Sequence, residues 1–446
     1  MIMSKVVKYK RTLLMFIRLL NISVVTALIA YVWYRYYAHI IPTPLFRKGN
    51  YLVVFVYAVL IVAYTQLNGG YKIGDNRITE SVYANTISLI FIDCIFFLFI
   101  CLMGRQWLDP SPYIGVCAIQ IIYIVMWSIF ANKLYFKIFP PRKIVYIYQG
   151  EKGSVLEKMK NRHDKYNVQK IVEVSEINDF ISLIQPYEAV VLDRIKEDDK
   201  DRFIKLCYSI HKRLYLVPDY DDVLIECSMN INLLDSPLFL MKNRGLSFEQ
   251  ELIKRVEDLL ISIPAFIILS PIFLIVALCI KLEDGGPIFY KQKRLTKDEE
   301  IFEIYKFRSM IVDAEKVHGA QLMTENDPRI TKVGKVIRKL RIDELPQLIN
   351  IIKGDMSVVG PRPERPELAQ EIYKTLPEFK FRLTGKAGLT GYAQVMGKYN
   401  TSMEDKLVFD LMYLENYSIF FDIKIILMTI KIIFDFNATE GVKEEK

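Results

Sequence analysis

The sequence predicts a mixed membrane protein in three parts. A four-helix transmembrane bundle is expected over 1–141, a doubly wound α/β domain over 142–242, and a mainly helical domain over 243–446 held by a re-entrant membrane helix at 259–280. Three observations predict this. Four long apolar segments precede residue 133, in a chain of 446 residues that is 52% hydrophobic and 13% aromatic. After Arg142 short apolar runs alternate with amphipathic stretches, the pattern of strands and helices in turn. A single 22-residue apolar stretch, Leu259 to Ile280, then precedes a long string of basic residues and carboxylates.

Composition narrows the classes. The length suits two or three domains. A net charge of +8 fits nucleic acid or an anionic membrane face, and the apolar segments select the membrane. The six cysteines form no CxxC pair, and the four histidines are scattered singly, so the spacing of a zinc site is absent.

Taken in order, the apolar segments run at 12–37, 51–67, 83–104 and 113–132, each about the length needed to cross a ~30 Å hydrocarbon core. The first is too long for a signal peptide and has no small-residue cleavage site. Lys and Arg orient the bundle. Lys5, Lys8, Lys10 and Arg11 precede it and Lys133, Lys137, Arg142 and Lys143 follow it, while the loops between hold Arg47, Lys48, Lys72, Arg77 and Arg105. Both ends are therefore expected in the cytoplasm. Asp93, inside the third segment, reads either as a functional acid or as a carboxylate hydrogen-bonded within the bundle.

From Arg142, KIVYIYQG, VQKIVEV, EAVVLDR and LYLVPD read as buried strands, with helical stretches near 152–161, 176–184 and 197–212 between them. That is a Rossmann-like, parallel arrangement. The first strand is followed by Gly150-Glu-Lys-Gly153-Ser, which lacks the GxGxxG of a dinucleotide site, so packing, partner contact or a lost site is favoured over cofactor binding. Asp219-Tyr-Asp221 is a DxD that follows Pro218 directly; an ordinary turn is favoured over a metal site.

The stretch 259–280 is long enough to span, but Ser270-Pro271 lies at its middle and both flanks are basic. Proline inside a helix removes a hydrogen bond and bends it, and a spanning helix should show charge asymmetry. A hairpin entering and leaving on the cytoplasmic side satisfies both. Aromatic and basic strings follow, IFYKQKR and IYKFRSM with Lys306 and Arg308, suited to lipid headgroups or phosphates. Further on, TGKAGLTGYAQVMGK reads as a glycine-rich loop able to wrap a sugar nucleotide, and Lys406 to Phe436 as an amphipathic stretch lying on the membrane.

The chain is organised around Arg338 to Glu367. Arg338 and Arg341 share a helical face. Asp343-Glu344 falls at a break, because Leu345-Pro346 opens a new helix running to about Lys353. A helix N-terminus attracts phosphate. Gly360-Pro361-Arg362-Pro363 forms a stiff turn that presents Arg362, with Arg365 close behind. Carboxylates beside clustered arginines are a phosphoryl-transfer arrangement.

From about Glu251 to Thr429 these strings closely resemble the bacterial sugar transferases, also called monotopic phosphoglycosyl transferases, which move a hexose 1-phosphate onto a polyisoprenyl phosphate. The family's KRxxD falls on Lys254, Arg255 and Asp258, its helix-breaking pair on Ser270-Pro271, and its KFR on Lys306-Phe307-Arg308. Its catalytic dyad falls on Asp343-Glu344, with a phosphate-gripping Arg338 before it, and its GPRP on Gly360 to Pro363 with Arg362 as phosphate ligand. Arg341 and Arg365 join the substrate-binding set. The four crossings and α/β domain look like the long-form members that start capsule, exopolysaccharide or O-antigen repeat units. The resemblance implies a UDP-sugar donor (galactose or glucose), undecaprenyl phosphate as acceptor, and Mg²⁺ at Asp343 and Glu344. Asp343 would attack the β-phosphorus, forming an aspartyl phosphate and releasing UMP. It also implies the bacterial inner membrane, soluble domains facing the cytoplasm, the bilayer as partner, a homodimer as a possible assembly, and no nucleic acid. Two departures concern the sugar: Thr296-Lys-Asp-Glu-Glu stands where a glycine is usual, and Tyr392 and Met396 replace commoner residues. Two rivals remain open, a direct glycosyltransferase using Asp219 and Asp221 that releases UDP, and a non-catalytic membrane scaffold.

Overall fold

The computed structural model describes residues 9–41, 47–241, 245–311, 329–397 and 401–433. Lys5 and Lys8, part of the basic N-terminal tail, lie outside the described residues. The chain divides into two compact units, Met1–Val217 and Pro218–Lys446.

The first unit opens with four long helices: α1 (Lys10–Val32, continued by one π turn to Tyr37), α2 (Arg47–Leu67), α3 (Ile78–Gly104) and α4 (Ser111–Ile138). All four are long and apolar enough to cross a membrane. Polar side chains in such a bundle must satisfy one another, and one network touches every helix. Tyr57 donates to Asp93 at 2.8 Å, and Gln120 donates to the Tyr57 hydroxyl at 3.2 Å and to the Val25 carbonyl at 3.1 Å. Asp93 is thus an acceptor in the packing of the bundle.

The same unit contains a four-stranded sheet in the order β2-β1-β3-β4, every pair parallel. Its strands are β1 (Arg142–Tyr148), β2 (Tyr166–Glu173), β3 (Ala189–Asp193) and β4 (Arg213–Leu216). The connecting helices are α5 (Ser154–Lys160), α6 (Phe180–Ile184) and α7 (Glu197–Ser209). Alternation along the strands sends Val145, Ile147, Val190 and Leu192 against α6 and α7, and Ile144, Tyr146, Ala189 and Val191 against α5. Helices cover both faces because the first crossover runs one way along the sheet and the next two run the other, as the right-handed rule for parallel connections requires.

The second unit begins with α8 (Tyr220–Glu226), whose Val223 packs with Ile372, Phe379, Leu407 and Leu411. The sequence boundary at 242 places this helix with the α/β domain; its buried side lies in the second unit's core. An antiparallel hairpin follows, β5 (Met229–Leu233) and β6 (Ser236–Leu240).

Next comes α9, Phe248–Asp284, one helix of 37 residues with Pro264 and Pro271 inside it. The break expected at Ser270-Pro271 is absent. Pro271 cannot donate to the carbonyl of Ile267 four residues back, and the Ser270 hydroxyl donates to that carbonyl at 2.7 Å. The pair therefore carries its own replacement bond and the helix continues. Its two halves meet different parts of one body. Ile261, Ala265, Phe266 and Leu269 pack on a core containing Leu348, Ile351, Val358 and Ile425. Phe273, Val276 and Ile280 pack with Phe307, Ile337 and Leu345. The remaining face, with Ile267, Ile268, Leu274 and Leu278, is exposed.

The remaining strands are β7 (Phe289–Leu295) and β8 (Ile301–Phe307), an antiparallel pair, and β9 (Ser357–Val359) and β10 (Gly388–Thr390), a short parallel pair. The helices are α10 (Lys332–Lys339), α11 (Gln347–Lys353), α12 (Pro366–Thr375), α13 (Tyr392–Met396), α14 (Met403–Glu415) and α15 (Ile419–Ile433). The stretch from Lys406 is not a surface amphipath as expected. Leu407, Leu411, Tyr413, Leu414 and Ile425 are buried, and Asp410 and Asp422, each 1% exposed, also point inward; residues 434–436 lie outside the described residues.

The packing of α8 predicts how the second unit can be cut. A chain starting at 218 should melt at least about 5 °C above one starting at 245, because the shorter one uncovers Phe379, Leu407 and Leu411. Equal melting temperatures in the same detergent would contradict the place given to Val223.

Candidate active site

The site is built where α10 gives way to α11. Thr331 caps α10 by accepting from the Gly334 amide at 2.9 Å. The helix ends at Leu340, and Arg341 takes a left-handed conformation, φ 54°, which costs about 1 kcal/mol in a non-glycine residue. The chain reverses there into a single 3-10 turn, Ile342–Glu344, and Pro346 starts α11. Asp343 and Glu344 therefore stand at the break that the sequence predicts.

The two carboxylates have different surroundings. One Glu344 oxygen accepts from Lys306 Nζ and from Arg362 Nη2, each at 3.0 Å, and its side chain is 17% exposed. Burial pushes its pKa up, but Arg362 and Lys306 together outweigh burial and hold the carboxyl well below the ordinary range. Among the described residues no lysine or arginine is hydrogen-bonded to the Asp343 carboxylate, which has its own backbone N–H beside it. Burial and then the Glu344 charge raise its pKa, opposed by Lys306 and Arg338. Adjacent acids pushed apart in this way can take separate roles.

The other expected residues divide into two groups. Lys306, Arg338 and Arg362 converge on the carboxylates. Arg341 is exposed on the reversing turn, and Arg365 is half-buried at the N-cap of α12. Arg308 is buried and paired with Asp284, and its Nε and Nη1 have no hydrogen-bond partner among the described residues. Lys254, Arg255 and Asp258, expected to bind substrate, clamp α9. Lys254 pairs with Asp422 at 2.5 Å, Arg255 donates to the carbonyls of Ile351 and Ile352 at 2.6 and 2.7 Å, and Asp258 accepts from Ser357 Oγ and Val358 N at 2.8 and 2.9 Å. Arginine at the last carbonyls of α11 is where a helix dipole favours a cation, so the clamp follows from helix chemistry.

The glycine-rich loop, expected to wrap a sugar nucleotide, packs closely on the turn at Gly360. A Cβ on Gly388 would lie 2.1 Å from the Gly360 nitrogen, and one on Gly391 would lie 2.2 Å from the Gly360 oxygen. These glycines let the loop's backbone pack directly on the GPRP turn; Lys398, at the loop's end, lies outside the described residues. Tyr392 packs edge-on against Phe409 and Phe421. Asp219 caps α8 and its own amide bonds Asp222, so the DxD is the first turn of a helix. After β1, the Gly153 amide donates to Asp193 at 2.8 Å, so a carboxylate already holds the N–H that a phosphate would need. Sequence reading did not find Arg382, which is buried against Asp410. Its signal is an arginine and an aspartate at otherwise apolar positions.

Among the described residues no three His, Cys, Asp or Glu side chains form a metal cage. A cation bound by one or two carboxylates plus substrate phosphates needs no such cage, and Mg²⁺ binds in that way. Asp343, with the second oxygen of Glu344, fits that donor set.

The bacterial sugar transferase family model matches residues 249–436. A UDP-N-acetylgalactosamine-undecaprenyl-phosphate N-acetylgalactosaminephosphotransferase of Aeromonas hydrophila is 37% identical over 262 residues, 55% of this chain and 59% of that protein. A UDP-glucose:undecaprenyl-phosphate glucose-1-phosphate transferase of Escherichia coli is 36% identical over 200 residues, 44% of this chain and 43% of that one. The exopolysaccharide production protein ExoY of Sinorhizobium fredii is 40% identical over 191 residues, 40% of this chain and 83% of its own. The chain thus spans less than two thirds of the Aeromonas and Escherichia proteins.

Glu344's ion pairs give the site a testable pH dependence. Its folded pKa is depressed, so they stabilise the fold above its unfolded value of about 4.3, and this is lost as pH falls through the folded value. Glu344→Gln should destabilise by about 2 kcal/mol at pH 7, and the gap from wild type should shrink on acidification below about pH 4. A gap that is the same at pH 3.5 and pH 7 would contradict the assignment.

Proposed function

The chain belongs to the bacterial sugar transferase family, and from that premise we propose that it transfers a sugar 1-phosphate from a UDP-sugar to undecaprenyl phosphate in the bacterial inner membrane. The sugar is a hexose, galactose or glucose. The product, undecaprenyl-diphospho-sugar, begins a capsule, exopolysaccharide or O-antigen repeat unit.

The observation that carries this reading is the unequal treatment of the two acids. Glu344 is committed to two cations, and Asp343 is hydrogen-bonded to none. An Asp343 oxygen attacks the β-phosphorus of the UDP-sugar, the phosphoanhydride P–O bond breaks, and UMP leaves with the electron pair. The sugar phosphate then sits on Asp343 as an acyl phosphate. An oxygen of undecaprenyl phosphate attacks the same phosphorus and returns the carboxylate. Two displacements replace one difficult one. Glu344 fixes Lys306 and Arg362 beside the phosphate, where their charge favours the transition state. Mg²⁺, when bound through Asp343, Glu344 and the diphosphate, would neutralise phosphate charge. Arg338 joins the cations on Asp343's side.

The proposed topology is monotopic: the unbroken α9 lies along the cytoplasmic leaflet, with its basic flanks on the cytoplasmic side and its exposed apolar face in the bilayer. Helices α1–α4 form the transmembrane bundle, and the parallel sheet is a Rossmann-like cytoplasmic domain.

Product identity tests the reading. With a UDP-hexose and undecaprenyl phosphate the protein should release UMP, and Asp343→Asn should fall below about one per cent of wild type. Release of UDP would establish direct glycosyl transfer, and neither product would leave a scaffold.

A further inference from the structure

We propose that Arg382 and Asp410 are positioning residues for Arg362: this buried pair holds the backbone of the Arg362 turn and so aims the guanidinium at Glu344 and the donor's phosphates. The phosphate part of this rests on the function proposed above.

The turn from Gly360 to Glu364 belongs to no helix or strand, so its carbonyls need partners from other parts of the chain. Pro361 accepts from the Gly388 amide at 2.9 Å, Pro363 from Arg294 Nη1 at 3.0 Å, and Glu364 from the Leu295 amide at 3.0 Å. The carbonyl of Arg362 itself accepts from Arg382 Nη2 at 2.9 Å. A side chain therefore holds the residue that matters most, and that side chain must in turn be fixed.

Asp410 fixes it. One of its oxygens accepts from Arg382 Nε at 2.8 Å and lies 2.7 Å from Nη2 as an ion pair, and Arg382 and Asp410 are only 3% and 1% exposed. Glu364 lies 3.8 Å from Nη1. Desolvation offsets the attraction within a buried ion pair, which makes it a weak source of net stability. What this pair supplies is a rigid N–H aimed at one carbonyl. Arginine suits the task because its planar fork serves a carboxylate and a carbonyl together, whereas lysine is a single flexible point. Three residues on from Asp410, on the same face of α14, Tyr413 donates to the Val359 carbonyl at 3.1 Å. One helix thus governs the chain just before the turn and, through Arg382, the turn itself.

Arg382→Lys and Asp410→Asn in the full chain test this. Hydrogen exchange needs no turnover. Exchange of the Gly360, Arg362, Glu364 and Arg365 amides should rise at least tenfold in each variant, while β8 stays at the wild-type rate. In the UMP assay, kcat/KM should fall about 10- to 100-fold. The loss should fall on kcat more than on KM, because the Arg362 charge is placed for the transition state. Unchanged exchange at the turn, exchange raised throughout the second unit, or a loss confined to KM would overturn the proposal. Wild type releasing no UMP would instead contradict the proposed function, and the exchange measurement would still decide the positioning role.

Discussion

One carboxylate oxygen accepting from two cations is the constraint on which the second unit depends. Glu344 takes Lys306 from β8 and Arg362 from the GPRP turn, each at 3.0 Å. Three segments far apart in sequence meet there: a strand, the break between α10 and α11, and a turn with no regular structure. A carboxylate in this position cannot be released cheaply, since removing one partner of a buried pair leaves the others uncompensated. Its neighbour Asp343 is left beside the same cations without being bonded to them. The local sequence Asp-Glu is symmetrical in charge, and the fold makes it asymmetrical in chemistry.

Other features hold the three segments in place. Asn350 on α11 donates to the Glu303 carbonyl at 2.8 Å and accepts from the Tyr305 amide at 2.9 Å, which sets β8 against the helix that follows the acids. Arg255 and Asp258 tie the far end of α11 and strand β9 to the long helix α9. Glycines 360 and 388 bring β9 and β10 so close that no side chain fits between them. Helix α9 is thus part of the site's scaffold, and its outward face is apolar.

The sequence made visible whatever depends on periodicity or on the punctuation of helices. The apolar segments, the four parallel strands and the helix from Pro346 to Lys353 all follow from local pattern, and so does the break that carries Asp343 and Glu344. What it hid depends on partners distant in sequence. Lys306 and Arg362 lie 38 and 18 residues from Glu344, so no local signal tells which of the two acids is committed. Ser270-Pro271 reads as a break because proline removes a bond, and the Ser270 hydroxyl that replaces it is visible only in three dimensions. Asp410 and Asp422 read as the wet side of an amphipath, since an inward acid looks the same in sequence as an outward one until Arg382 and Lys254 are seen beside them. Glycines that admit a backbone likewise resemble glycines that admit a ligand.

The central claim is the division of labour between adjacent acids, and the covalent intermediate tests it most directly. The full-length protein would be incubated with UDP-sugar in the absence of lipid acceptor, quenched, and its peptides mapped by mass spectrometry. The account predicts a sugar phosphate on Asp343, formed with release of UMP and discharged when undecaprenyl phosphate is added. The same adduct on Glu344, or UMP released only when lipid acceptor is present and with no adduct on either acid, would contradict it.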